Sequence, residues 1–247
     1  MIETLTAMMN RASVRRYTDE IPDEATVEAI LRAGAQAPFA MQMFSVIVKR
    51  GGKLPWGAPL GLLICADVHR LSRIAAKRGW SVETNDLELL LFAIQDAAYA
   101  AQNCVIAAQS LGLGSCYIGA PIHQAAKLVE ECRLPPKVFP LVLLVMGHPA
   151  ENPEPRARYP LSFTAFEETY PDLSDEDVDE AMRAMDEGFL ESGYYAKNKL
   201  KLPVPEGRED PFTFDDYSWT EHISRKLQWS PDATKLRDTL KACGFVV

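Results

Sequence analysis

Asn85-Asp-Leu-Glu-Leu-Leu-Leu-Phe-Ala-Ile-Gln-Asp96-Ala-Ala-Tyr-Ala-Ala-Gln-Asn103-Cys-Val-Ile-Ala-Ala-Gln-Ser-Leu-Gly112-Leu-Gly114-Ser-Cys-Tyr-Ile-Gly119 reads as a long helix, a glycine turn and a short extended segment. Asn85 or Thr84 can start the helix, and Gly112 and Gly114 end it just after Leu111. It is apolar on nearly every face, which places it in a core or an oligomer interface. Glu88, Gln95, Asp96, Gln102 and Asn103 would be costly in lipid, so the stretch is not read as a membrane span.

Helices and strands alternate around this helix. Residues 2–10 read as a short amphipathic helix. Asp23 can cap a second one over about 24–36, with Val27, Ile30 and Leu31 at helical spacing, ended by the loop at Pro38. Phe44 to Lys49 and Leu60 to Asp67 are β-branched or aliphatic runs that read as strands, separated by turn residues from Gly51 to Pro59. A helix over His123–Cys132 and a buried strand over Val138–Gly147 follow. The alternation predicts an α+β (α/β sandwich) fold, not a bundle. Beyond Gly147, Pro149, Pro153, Pro155 and Pro160 keep a connector extended. Ser174-Asp-Glu-Asp then starts a helix to about Ser192, and Ser230-Pro231 starts a last one ending at Gly244. Residues 1–165 read as the main domain. Residues 166–247 read as a C-terminal, partly helical extension packed on it or on a partner subunit.

The 247 residues carry a net charge of −8, which disfavours nucleic acid and anionic membranes as partners. Five scattered cysteines without a Cys-x-x-Cys pair suggest reduced thiols in a cytosolic setting, and the N-terminus does not read as a signal peptide. The histidines lack metal-ligand spacing, so no metal is expected.

Two arginine groups stand out. In Arg11-Ala12-Ser13-Val14-Arg15, an extended backbone puts Arg11, Ser13 and Arg15 on one face, and in Arg156-Ala157-Arg158 it does the same for the two arginines. Such faces suit a dianionic phosphate on a small ligand. Taken alone, the spacing favours solvated surface arginines. The glycines from Gly112 to Gly119 let backbone approach a flat ligand. They follow a helix and lack the third glycine of the dinucleotide fingerprint, so a Rossmann site is rejected. Gly-Ser-Cys-Tyr echoes a thiol-protease site, but Leu113 stands where that signature needs cysteine. Cys116 is read as a buried small hydrophobe, and no catalytic side chain is nominated.

Taken in order, Arg11-Ala-Ser-Val-Arg-Arg-Tyr-Thr, Ala35-Gln-Ala-Pro-Phe-Ala, Asp96-Ala-Ala-Tyr-Ala-Ala-Gln-Asn with the glycine turn, and Met146-Gly-His-Pro-Ala leading to Pro155-Arg-Ala-Arg-Tyr-Pro-Leu resemble the FMN-dependent nitroreductase family over about residues 1–165. The tail resembles the C-terminal extension of a subset of that family. The resemblance implies a mixed, mainly antiparallel sheet flanked by helices. It implies a cytoplasmic homodimer with FMN at the interface, and NADH or NADPH as donor to nitroaromatic, quinone or flavin acceptors. It implies Arg11, Ala12, Ser13 and Arg15 at the FMN phosphate, ribityl chain and ring edge, and Arg156 and Arg158 as a second phosphate pair. Pro38, Phe39 and Gln42 fall on the neighbouring loop, and Tyr117, Ile118 and Gly119 along the flavin ring. This chain departs from the family at Ala12, where Arg or His is usual, and at Phe39–Phe44. That loop is about two residues shorter, lacks Gln-Pro-Trp, and has Gln42 as the candidate stand-in for an asparagine. A specialised dehalogenation or dehydrogenation, or a flavin sensor without turnover, stays open at this stage.

Overall fold

A computed structural model of the chain describes residues 3–51, 53–82, 85–228 and 233–247. Chain contacts divide it into two compact units, Met1–Pro155 with Asp232–Val247, and Arg156–Pro231. The first unit therefore includes the C-terminal residues that the sequence groups with the extension.

The first unit contains helices α1 (Glu3–Met9), α2 (Glu24–Ala35), α3 (His69–Lys77), α4 (Asp86–Ser110) and α5 (Ala125–Cys132), and strands β1 (Phe44–Arg50), β2 (Leu60–Asp67), β3 (Gly114–Ile118) and β4 (Val138–Gly147). The strands form one sheet in the order β1-β2-β4-β3, every pair antiparallel. The parallel element is an isolated bridge between Ser13 and Ser115. Central β2 is buried along its whole length, which is why Leu60 to Asp67 lacks polar alternation. Leu62 and Ile64 face α2 and α4, while Leu63 and Cys65 pack with Leu134 and Val138 on the other side. Pro140 cannot donate to a ladder, and it sits where the β2–β4 register shifts, so the bulge absorbs it.

Asp23 caps α2 by accepting the Thr26 N–H at 2.7 Å, and Asn85 caps α4 by accepting the Leu87 N–H at 3.0 Å. Ala97, Ala100, Ala101 and Ala108 of α4 are buried against α2 and the sheet. Gly34 of α2 allows this close approach, since a Cβ there would lie 2.5 Å from Cys104 Sγ. α4 has the length and composition of a membrane span, but its alanine face is packed inside the protein. Leu87, Leu91 and Tyr99 are exposed in the single chain, so α4 packs inside the protein on only part of its circumference. The last helix of this unit, Ala233–Ala242, leads Cys243 and Phe245 into a core with Met43, Ala66 and Phe139. Ser230 and Pro231, the expected helix start, lie outside the described residues.

The second unit holds α6 (Asp175–Glu191), α7 (Tyr194–Asn198) and α8 (Trp219–Gln228); the closing helix Ala233–Ala242 is α9. The expected capping box is present, with Ser174 and Asp177 bonding each other's backbone N–H. An aromatic core of Phe189, Tyr195, Tyr217 and Trp219 holds this unit. Arg225 is buried in it and bonds Asp210 and Glu221.

Candidate functional site

The segment after α1 is extended and runs along the edge of the sheet. Val14 N–H donates to Ser115 O at 3.0 Å, Thr18 N–H to His148 O at 2.9 Å, and Ala150 N–H to Arg16 O at 2.9 Å. Tyr17 OH donates to Val14 O at 2.6 Å and braces the turn. Val14 is buried and occupies the space that a side chain at Gly114 would need, a Cβ there lying 2.6 Å from Val14 Cγ2. Arg11, Ser13 and Arg15 are half-buried. Because Ser13 bridges Ser115, two residues before Tyr117, the arginine face and the glycine-rich segment lie side by side on this edge. A cleft of about 220 Å³ opens beside them, lined by Arg11, Ala12, Gly114, Ser115 and Glu151 among others.

Glu151 sets the direction of the arginines. Its Oε1 accepts the N–H groups of Arg15 at 2.6 Å and Arg16 at 3.2 Å, and its Oε2 accepts Arg16 Nε at 2.9 Å. Burial raises the pKa of this carboxyl, but the bonds from Arg15 and Arg16 outweigh it and hold the pKa below the usual range. Arg16 is thus neutralised, whereas Arg15 lies over the Trp56 ring at 5.4 Å. Among the described residues no carboxylate pairs with Arg11 or Arg15, although Arg16, Arg32, Arg50 and Arg70 all have one.

Tyr117 and Ile118 close β3, and Gly119 opens the 3-10 turn Ala120–His123. Nothing lies within 4 Å of where a Gly119 Cβ would stand. Tyr117 OH donates to Gln102 Oε1 of α4 at 3.2 Å. Burial and the nearby Cys104 push the Tyr117 hydroxyl up to about 12 against the lowering effect of Arg11, so it stays protonated at neutral pH.

The loop with Pro38, Phe39 and Gln42 is fixed by two residues outside the sequence-predicted set. Asp96, buried in α4, accepts N–H groups from Ala40 at 2.7 Å, Met41 at 3.2 Å and Met43 at 2.9 Å. Arg70 of α3 donates to Gln42 O at 2.9 Å, to Phe44 O, and to Asp67. These bonds hold Gln42 at a left-handed φ of 54°, uncommon for a side-chain-bearing residue. The Gln42 amide reaches Ala35 O at 3.5 Å, and Phe39 and Met41 expose apolar surface. One signal for Asp96 was present in the sequence, a lone acid amid alanines. Glu151, Arg70 and Trp56 had none.

Arg156 and Arg158 open the second unit. Arg156 donates to Tyr194 OH at 2.8 Å and lies over that ring at 4.3 Å, while Arg158 Nη1 bonds the carbonyls of Arg156 and Ala157. Neither has a carboxylate partner among the described residues.

Residues 8–51 and 47–148, more than half of the chain, match the sequence model described as the nitroreductase family. The chain belongs to the nitroreductase family. Two Bacillus subtilis relatives are named as flavin reductases. One, "FMN reductase (NADPH)", is 28% identical over 262 aligned positions, covering 99% of each chain. The other, "FMN reductase [NAD(P)H]", is 34% identical over 209 positions, covering 77% of this chain and 83% of the relative. Among solved nitroreductase-fold structures, the hypothetical oxidoreductase YcnD from Bacillus subtilis superposes with a TM-score of 0.82 at 30% identity, covering 100% of this chain and 99% of that one.

Proposed function

We propose that this chain is an NAD(P)H-dependent FMN oxidoreductase that reduces nitroaromatic, quinone or flavin acceptors. The observation that carries the reading is the Ser13–Ser115 bridge, which joins an unneutralised arginine face to a glycine-rich strand end. The names of the relatives support FMN as cofactor and NADH or NADPH as donor.

The residues present suit FMN. Arg11 and Arg15 have donors to give a phosphate or a ring carbonyl, and Ser13 offers a hydroxyl between them. The open space at Gly119 would leave room for a planar ring against backbone. On the family resemblance, Ala12, Pro38, Phe39, Gln42, Tyr117 and Ile118 would help to hold the flavin. Arg156 and Arg158 of the second unit are phosphate ligands on the family resemblance. FMN held there would supply the redox chemistry between NAD(P)H and the acceptor, and the protein would supply its binding and orientation. The protein orients donor and acceptor in turn on one face, so the kinetics are ping-pong, and no side chain has to exchange a proton as nucleophile or base. The exposed Leu87, Leu91 and Tyr99 side of α4 is covered in a homodimer, where two flavin sites form. Residues 1–165 are the flavin-binding domain and 166–247 an extension to it. The location is cytoplasmic, in keeping with five free cysteines.

The test is flavin binding to Arg11→Ala and Arg15→Ala full-length protein. Both variants should release FMN more readily than the parent, and initial rates at several acceptor concentrations should give parallel reciprocal lines. Unchanged FMN affinity in both variants would remove the arginine face from the site.

A further inference from the structure

The turn Leu54-Pro55-Trp56-Gly57-Ala58 between β1 and β2 holds a large aromatic in an uncommon conformation. Trp56 at φ 55° and Gly57 at φ 67° are two consecutive left-handed residues, and Ala58 N–H closes the turn onto Pro55 O at 3.2 Å. Asn-Gly takes such a pair most readily, and a bulky side chain there is an outlier. Packing on both sides imposes it. Leu54 and Ala58 cluster with Cys116 and Val145, which face each other across β3 and β4. Pro59 fills the space over Gly147, where a Cβ would stand 2.6 Å from Pro59 Cδ. A strained residue held by its neighbours points to a use for its side chain.

Trp56 stays 46% exposed at the crest of the turn. The Arg15 guanidinium lies 5.4 Å from its ring centroid, which puts the indole beside the Ser13–Ser115 bridge, within the first unit. Arg15 makes only a long side-chain bond to Ser13 O, at 3.5 Å, and no carboxylate pairs with it among the described residues. An electron-rich flat face and N–H donors of uncompensated charge therefore stand side by side. Electron-poor rings stack on the first, because the charge distributions of the two π-systems attract. The oxygens that such rings carry, in a quinone or a nitro group, accept bonds from the second.

We propose that Trp56 is a specificity-determining residue for the acceptor, stacking electron-poor aromatic rings and so favouring them over acceptors without a ring. This rests on the reading of this edge as the flavin site. The probes are tetramethyl-1,4-benzoquinone, which has no ring hydrogen for thiols to displace, and ferricyanide, which has no ring. Quinone binding to oxidised, flavin-loaded full-length protein is measured by equilibrium dialysis with no donor present, so nothing turns over. Reoxidation of the dithionite-reduced flavin is then followed by stopped flow without oxygen, per bound flavin. One quinone takes up the electron pair, with two protons, that two ferricyanide ions take singly. Trp56→Gly suits the left-handed backbone, so the turn keeps its shape while the ring is lost. It should weaken quinone binding and slow reoxidation by quinone roughly tenfold, and leave reoxidation by ferricyanide unchanged. Trp56→Phe keeps a ring and should recover part of that loss. Unchanged quinone binding in Trp56→Gly overturns the proposal. An equal loss of rate with both oxidants also overturns it, since the turn would then act on the flavin and not on the choice of acceptor. Protein that holds no flavin would overturn the underlying reading along with the proposal.

Discussion

Asp96 Oδ2 accepts the backbone N–H of Met43 at 2.9 Å, tying the middle of α4 to the loop that precedes β1. The same carboxylate takes the N–H groups of Ala40 and Met41, so one buried acid fixes a loop with little regular structure of its own. Asp96→Ala leaves these donors short of an acceptor. It should cost at least about 3 kcal/mol in urea unfolding and weaken FMN binding as well. Asp96→Asn keeps an acceptor oxygen and should cost less. An Asp96→Ala variant as stable as the parent would show that the loop holds itself.

Glu151 gives a pH dependence with a definite sign. Its folded pKa lies below the ordinary glutamate value, so its contribution is complete above that ordinary value, about 4.3, and disappears as pH falls through the folded pKa. Flavin retention should therefore hold down to about pH 4 and drop below it, as the Arg15–Arg16 backbone is released. In Glu151→Gln this drop should be absent or shallower, with weaker retention already at pH 7. The check is flavin fluorescence released from parent and variant across an acid series.

Gly34 and Cys104 offer a packing test. Gly34→Ala places a Cβ 2.5 Å from Cys104 Sγ, and the overpacking should cost about 1–3 kcal/mol despite alanine's better helix propensity. In a Cys104→Ala background the same substitution should be close to neutral. Equal costs in both backgrounds, measured by urea denaturation, would mean that Ala100 O, at 3.3 Å, is the obstacle.

The exposed side of α4 bears on assembly. Leu87→Asp with Leu91→Glu places two charges on it, and the mass from light scattering should fall from dimer to monomer with loss of FMN. A dimer that survives both charges would place the interface elsewhere.

Much of the fold was legible because periodicity is a local property. β2 was read to its final bounds, and α2 and α4 to within a residue or two, with the caps Asp23 and Asn85 and the Ser174 capping box correctly located. Which side of α4 stays uncovered in the single chain was not legible, since apolarity suits a core and an oligomer interface alike. α3, α7 and α8 were missed because they are short or mostly polar, with their order coming from tertiary contacts such as Arg70 with Gln42 O and Trp219 with Tyr159. Alternation along an extended chain singled out Arg11, Ser13 and Arg15 as candidates, and the segment is extended beside β3. The residues that aim them, Glu151 and Trp56, are distant in sequence and carry no local pattern.

The most direct test is an absorption spectrum of the purified protein, repeated without oxygen after adding NADH and then NADPH. The account predicts flavin bands that bleach with at least one donor and return when a quinone is added. Protein that holds no flavin after incubation with FMN, or flavin that neither donor reduces, would contradict it.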